Sequence, residues 1–176
     1  MTILIRVAFV VLLMAAVTAG GALTYVKTTG LKSQPDPGAL ETRVARALRA
    51  RAVPDEVRSM PNPVTSSPEA VAAGLRHFAG YCAPCHGNDG SGQGTLYGRG
   101  FFPKAPDMRL AATQELTDGE LFYIIENGVR FTGMPAFGSG TADPKDETLA
   151  WQLVHFIRRL PTIGPDELDE MKSMNP

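Results

Sequence analysis

Two cysteines separated by two residues and followed at once by a histidine, Cys82-Ala83-Pro84-Cys85-His86, constrain this chain more than any other stretch of it. Thiols at that spacing can reach the two vinyl-derived carbons on one edge of a porphyrin as thioethers. The adjacent imidazole then comes up beneath the ring with a nitrogen aimed at the iron. The pattern is the signature of covalent c-type haem attachment. A chain built this way must wrap a flat, mostly apolar disc. Its cysteine count is 2, so none is left for a disulfide or a second metal site. A thioredoxin-like redox pair would need a βαβ setting and a structural zinc site would need four ligands, and neither is found around this motif.

Around the motif the sequence reads as helices. Ser67-Pro68-Glu69 has a good N-cap, a proline suited to the first helical position and an acid at the positive end of the dipole. Val71, Gly74, Leu75, Phe78 and Cys82 then recur at helical spacing and carry this first helix into the motif. Residues 87–107 are rich in glycine and proline and predict an extended loop. Thr117-Asp118-Gly119-Glu120 forms a capping box, and Gly128 is positioned to end the helix that follows. A last helix is expected to open at Asp143-Pro144, to carry Leu149, Trp151, Val154, Phe156, Ile157 and Leu160, and to stop before Pro161. No strand alternation of useful length appears, so the domain is expected to be all-α.

A haem held by one histidine needs a sixth ligand or keeps an open position. Met134, in Gly133-Met134-Pro135, is the leading candidate, because Pro135 biases it towards extended backbone and Gly133 allows close approach. His/Met ligation is a recognised c-type arrangement. Met108 is the runner-up and Met60 a distant third. His77 and His155 read as surface or packed structural histidines rather than ligands.

The amino terminus supplies a second constraint. From Val7 to Val26 there are 20 residues without a charge, preceded by Arg6 and closed by Lys27. A helix of that length covers about 30 Å, the hydrocarbon thickness of a bilayer. A cleaved signal peptide competes with a membrane anchor over residues 1–26. The apolar run continuing past Ala19 argues for the anchor. Both readings put the rest of the chain outside the cytoplasm.

Residues 27–66, with Pro35, Pro37, Pro54, Pro61 and Pro63, read as a tether. As coil it would span about 30–40 Å r.m.s.. Within it Ala39–Ala52 predicts a short helix, with Leu40, Val44 and Leu48 on one side and Arg43, Arg46 and Arg49 on another. That helix would rest on anionic headgroups or, as the preferred expectation, stay solvated against the domain. Residues 67–164 are expected to form the compact domain and 165–176 a polar tail. Charge divides along the chain, +4 over residues 1–60 and −5 over 61–176. This gives no nucleic-acid signal, and it points to a partner with basic residues around its electron port.

Gly74, Phe78, the motif at 82–86, Pro106-Asp107, Gly133-Met134-Pro135 and Trp151/Phe156 fall in the order seen in class I cytochromes c, and the chain resembles a membrane-anchored bacterial monohaem member of that family. The resemblance covers residues 67–161. It implies the cytochrome c fold, one covalent haem c, and axial iron ligands at His86 and Met134. It also implies a glycine crossing at Gly74 beneath Phe156 or Trp151. Pro106, with Pro103 as alternative, would offer its carbonyl to the axial histidine. Arg99, Lys104, Arg109 and Arg130 are candidate propionate partners with equally plausible solvated roles.

The implied role is one-electron transfer between membrane-associated redox proteins, with no small-molecule substrate and no catalysis of its own. The implied location is the periplasmic side of a bacterial inner membrane. A haem subunit of a larger dehydrogenase or oxidase is the main alternative. A peroxidase or sensor with a labile sixth ligand is a further one.

Overall fold

The computed structural model describes residues 2–30, 32–33, 35–138 and 148–175. It consists of two compact units, residues 1–33 and 34–176. Every regular element among the described residues is helical.

The first unit is one helix, α1 (Thr2–Thr29). Its stretch Ile3–Thr28 is long and apolar enough to cross a membrane. Three of its threonine hydroxyls bond within the helix: Thr18 donates to the Met14 carbonyl and Thr24 to the Gly20 carbonyl, both at 2.8 Å, and Thr28 to the Thr24 carbonyl at 2.9 Å. That pattern suits hydrocarbon, where an unpaired hydroxyl is costly.

The second unit begins with α2 (Ala39–Ala52) and the single turn α3 (Asp55–Arg58). Next come α4 (Pro68–His77), a π-helical turn (Phe78–Cys82) and α5 (Ala83–His86). Two short helices, α6 (Leu96–Gly100) and α7 (Ala111–Gln114), punctuate the loop that leads to α8 (Asp118–Asn127). The chain closes with α9 (Thr148–Arg159), a 3₁₀ turn (Leu160–Thr162) and α10 (Pro165–Met174). The expected start of the last helix at Asp143-Pro144 lies outside the described residues.

The core is organised by α4 crossing α9. A side chain at Gly74 would run into the Gln152 carbonyl and come within 2.9 Å of Phe156 Cβ, so only glycine permits this approach. Phe156 is the aromatic above Gly74, packed on Phe78 with ring centroids 5.1 Å apart. Trp151 instead stacks flat on Phe122 of α8, 4.1 Å away. These rings, with Val154 and Leu160, are essentially removed from water. Each contributes on the order of 2–3 kcal/mol of burial. The helix starts follow from their caps: the Ser67 hydroxyl accepts from Ala70 N at 3.1 Å, and Thr117 and Glu120 close a reciprocal capping box.

Three segments differ from expectation. Within the stretch read as a tether, Val53 is buried, and Val57, Met60 and Val64 pack on the core. Asn62 also donates to the Trp151 carbonyl at 3.1 Å. The loop at 87–107 contains α6, capped by the Thr95 hydroxyl. The stretch read as a polar tail forms α10, whose Met171 is fully buried, and Asn175 beyond it donates to the Ala79 carbonyl at 2.9 Å.

Candidate functional site

The motif is delivered by α4 through the π turn. A π turn carries an extra residue, and such turns recur at functional sites. Here it keeps Phe78 and Ala79 in the core while the chain swings into α5, which carries Cys85 and His86. Cys82 and Cys85 are both free thiols. Burial, reinforced by Cys85, pushes the Cys82 thiol up to about 12, and burial also raises Cys85.

His86 is only 9% exposed. Its ring lies 6.5 Å from that of Phe78, so the same phenylalanine serves the helix crossing and the histidine. Nδ1 is buried and lacks a well-formed hydrogen bond. The Pro106 carbonyl is nevertheless near enough to raise the ring's pKa against the larger lowering that burial imposes. Pro106 thus acts on the His86 ring, and no comparable influence of Pro103 is seen.

The loop after the motif is pinned at several points. Gly92 N donates to the His86 carbonyl at 2.7 Å, and Met108 N to the Gly90 carbonyl at 2.8 Å. A side chain at Gly92 would collide with the Ala105 carbonyl and approach Pro106 O to 3.2 Å. These contacts bring the 105–108 strand of loop against the histidine. Thr95 donates to the Cys85 carbonyl at 3.0 Å, which anchors α6 to the motif.

From α6 the chain reaches the loop that carries Met134, the candidate sixth ligand. Phe101 lies over Gly133, where a Cβ would sit 2.6 Å from the ring. The Met134 loop is otherwise hung from the end of α8. Val129 N donates to the Met134 carbonyl at 3.2 Å and Phe137 N to Ile125 at 3.1 Å. Met134 itself is half-buried.

The rival methionines and histidines have structural positions. Met108 belongs to the buried core, and Met60 packs against it. His155 Nε2 lies 2.7 Å from the Val64 carbonyl, and His77 packs on Tyr81 at 4.7 Å. Of the basic residues expected near the site, Arg109 is committed to Asp107 at 2.8 Å and Asp89 at 3.0 Å, and Lys104 to Asp36 at 3.0 Å. Arg99 and Arg130 are exposed.

Sequence reasoning missed three supports: the Phe101 contact, the Asn88–Asn175 amide pair at 2.7 and 3.0 Å, and Gln114, which bridges the Met108 and Ile157 carbonyls. Only Gly133 gave a signal for the first of these, as a residue marking close approach.

The residues fit a covalently held haem. Two free thiols and a buried imidazole share one turn, and a thioether loop is linked back to that turn through Phe101. On the neighbouring segments Tyr97, Phe102, Phe131 and Phe137 leave apolar rings exposed, surface that a large apolar disc can cover. No curated protein showed significant similarity to the chain. Residues 69–157 match the family described as cytochrome c oxidase, cbb3-type, subunit III. The matched span starts inside α4 and ends inside α9, so it contains the helix crossing, the motif and the Met134 loop. The chain belongs to this family: it is a c-type cytochrome, a helical domain for covalently bound haem c that serves electron transfer.

Proposed function

We propose that Cys82 and Cys85 would hold one haem c as thioethers, that His86 and Met134 would ligate its iron, and that the chain shuttles single electrons between membrane-associated redox partners. The observation that carries this reading is the buried His86 imidazole. It lies on the same turn as two free thiols, the Pro106 carbonyl acts on its ring, and the motif's own loop extends to Gly133 next to Met134. When bound, haem supplies one-electron chemistry by cycling its iron between the ferric and ferrous states.

The protein's part is positional. Phe78 packs beside His86 and excludes water from it. With haem bound, the Pro106 carbonyl would accept from the free ring N–H of His86, which would fix the ring's tautomer and orientation and raise its basicity. Burial raises both thiols above their ordinary pKa, and Cys82 and Cys85 would hold the group through their sulfurs. Met134 brings a thioether, which raises the potential relative to a second histidine. His155 is tied to Val64 and His77 packs on Tyr81, so neither is free to act as an acid or base at the iron, which favours a carrier over a peroxidase.

A second reading makes the chain a haem subunit of a terminal oxidase, favoured by the description of its family. In either case the acidic residues 61–176, net −5, suit a partner with a basic port, and transfer slows as salt rises. The haem domain would work on the periplasmic side of the inner membrane, held by α1.

The test is made on the haem-loaded chain. It should retain one haem through acid–organic extraction, take up one electron per chain in a reductive titration, and bind carbon monoxide slowly. Haem that extracts freely, or rapid carbon monoxide binding to an open position, would overturn the reading.

A further inference from the structure

The helix α2 turns the wrong side outward for a helix resting on its own domain. Leu40, Val44 and Leu48 form an i, i+4, i+8 row and are 76%, 50% and 62% exposed. The side nearer the domain is polar: Thr42 and Arg49 are its half-buried residues, and Arg49 lies about 140° round the helix from Val44. Arg43 borders the apolar row and Arg51 extends it, both exposed. The helix carries four arginines against one glutamate.

The carboxyl end of α2 is fixed to the rest of the unit. Arg58 donates to the Ala50 carbonyl and, at 3.4 Å, to that of Val53, and its Nε lies 3.8 Å from Glu120 at the start of α8. Val53 is buried, and a side chain at Gly119 would run into the Val57 carbonyl. The helix is therefore a projection fixed at one end, with its apolar row facing solvent.

We propose that α2 is an interfacial foot: its Leu40/Val44/Leu48 row inserts into an anionic lipid surface, with Arg43 and Arg51 at the headgroups. Two observations favour lipid over other occupants. The first is chain length: α1 ends at Thr29 and α2 begins at Ala39, so residues 30–38 allow at most about 35 Å between them. The second is composition, an apolar row edged by arginines, which is that of helices lying in the plane of a membrane and attracted to acidic headgroups. The proposal rests on α1 being a membrane anchor. It replaces a swinging head with one held at a set height, with Arg58 transmitting the position of the foot to α8.

The test uses the full haem-loaded chain in vesicles of phosphatidylglycerol and phosphatidylcholine. With Cys82 and Cys85 joined to haem, an introduced cysteine is the only free thiol. Nitroxide labels go at Val44→Cys on the row and at Arg46→Cys on the opposite side. The label at 44 should collide with oxygen far more than with a water-soluble nickel chelate, at a depth of about 5–10 Å, while the label at 46 shows the reverse. Equal nickel accessibility at the two positions overturns the proposal. Spin–spin broadening at 44 overturns it as well, because the row then meets a second copy of the chain. Flotation of the unlabelled chain with the vesicles reports separately on α1. If flotation fails, the anchor falls and the foot with it. If flotation succeeds while 44 stays in water, only the foot falls.

Discussion

The two halves of the haem site are built to different standards. The His86 half is part of the core: Phe78 joins the ring to the α4–α9 crossing, and Gly92 and Met108 pin the following loop by short backbone bonds. The Met134 half hangs from the last turn of α8 by a few backbone bonds and one aromatic contact, and Phe131 beside it is 92% exposed at φ 61°. A side chain embedded in a packed crossing cannot move without repacking its neighbours, whereas a loop of this kind opens locally at small cost. On the proposed ligation, attachment and His86 are held permanently while Met134 is held by modest forces.

Mutations can test that contrast. Gly74→Val attacks the crossing, where a Cβ meets the Gln152 carbonyl and Phe156. It should cost about 3 kcal/mol or more, read as a lowered midpoint of chemical unfolding together with poor haem incorporation. Gly128→Ala attacks the distal half. Gly128 sits at φ 64°, ψ −168°, a region closed to other residues, and a Cβ there would meet the Met134 carbonyl at 2.7 Å. The expected cost is about 1–3 kcal/mol, with haem still attached and with faster binding of exogenous imidazole to the ferric iron. Equal loss of haem in both variants would remove the distinction between the halves.

The smallest effect is expected at the loop surface. The Arg109 side chain, through its hydrogen bonds, holds the Asp107 carboxyl below the ordinary range. A depressed carboxyl contributes stability above its unfolded pKa of about 3.9 and loses it as pH falls through the folded value. Arg109→Gln should therefore lower Tm at neutral pH by the equivalent of about 0.5 kcal/mol, as for a solvent-screened pair. The gap from the parent chain should close below about pH 4. A gap that persists in acid would assign another role to Arg109.

What could be read from the sequence was local or anchored in one residue type. The caps at Ser67 and Thr117 depend on short-range chemistry, and the crossing at Gly74 was legible through the resemblance to class I cytochromes c. The pentapeptide at 82–86 carries its own geometry. What escaped was tertiary. Val53, Val57, Met60 and Val64 recur at steps of four, three and four, but Pro54, Pro61 and Pro63 break any continuous helix through them, so their burial was hidden among prolines. In α10 only Met171 is buried, with Leu168 and Met174 as its other large apolar residues in a charged stretch, enough to dock the helix but too little to signal it. The π turn leaves no periodic trace, and the Phe101–Gly133 contact joins segments that only the fold brings together.

The central claim is that Met134, rather than the buried Met108, completes the iron coordination begun by His86. The ferric protein should show the weak sulfur-to-iron band at the red end of its spectrum. The account predicts that Met134→Ala abolishes this band while leaving the haem covalently attached, and that Met108→Ala lowers stability by about 2–5 kcal/mol yet keeps the band. A band that survives Met134→Ala and disappears in Met108→Ala would contradict it.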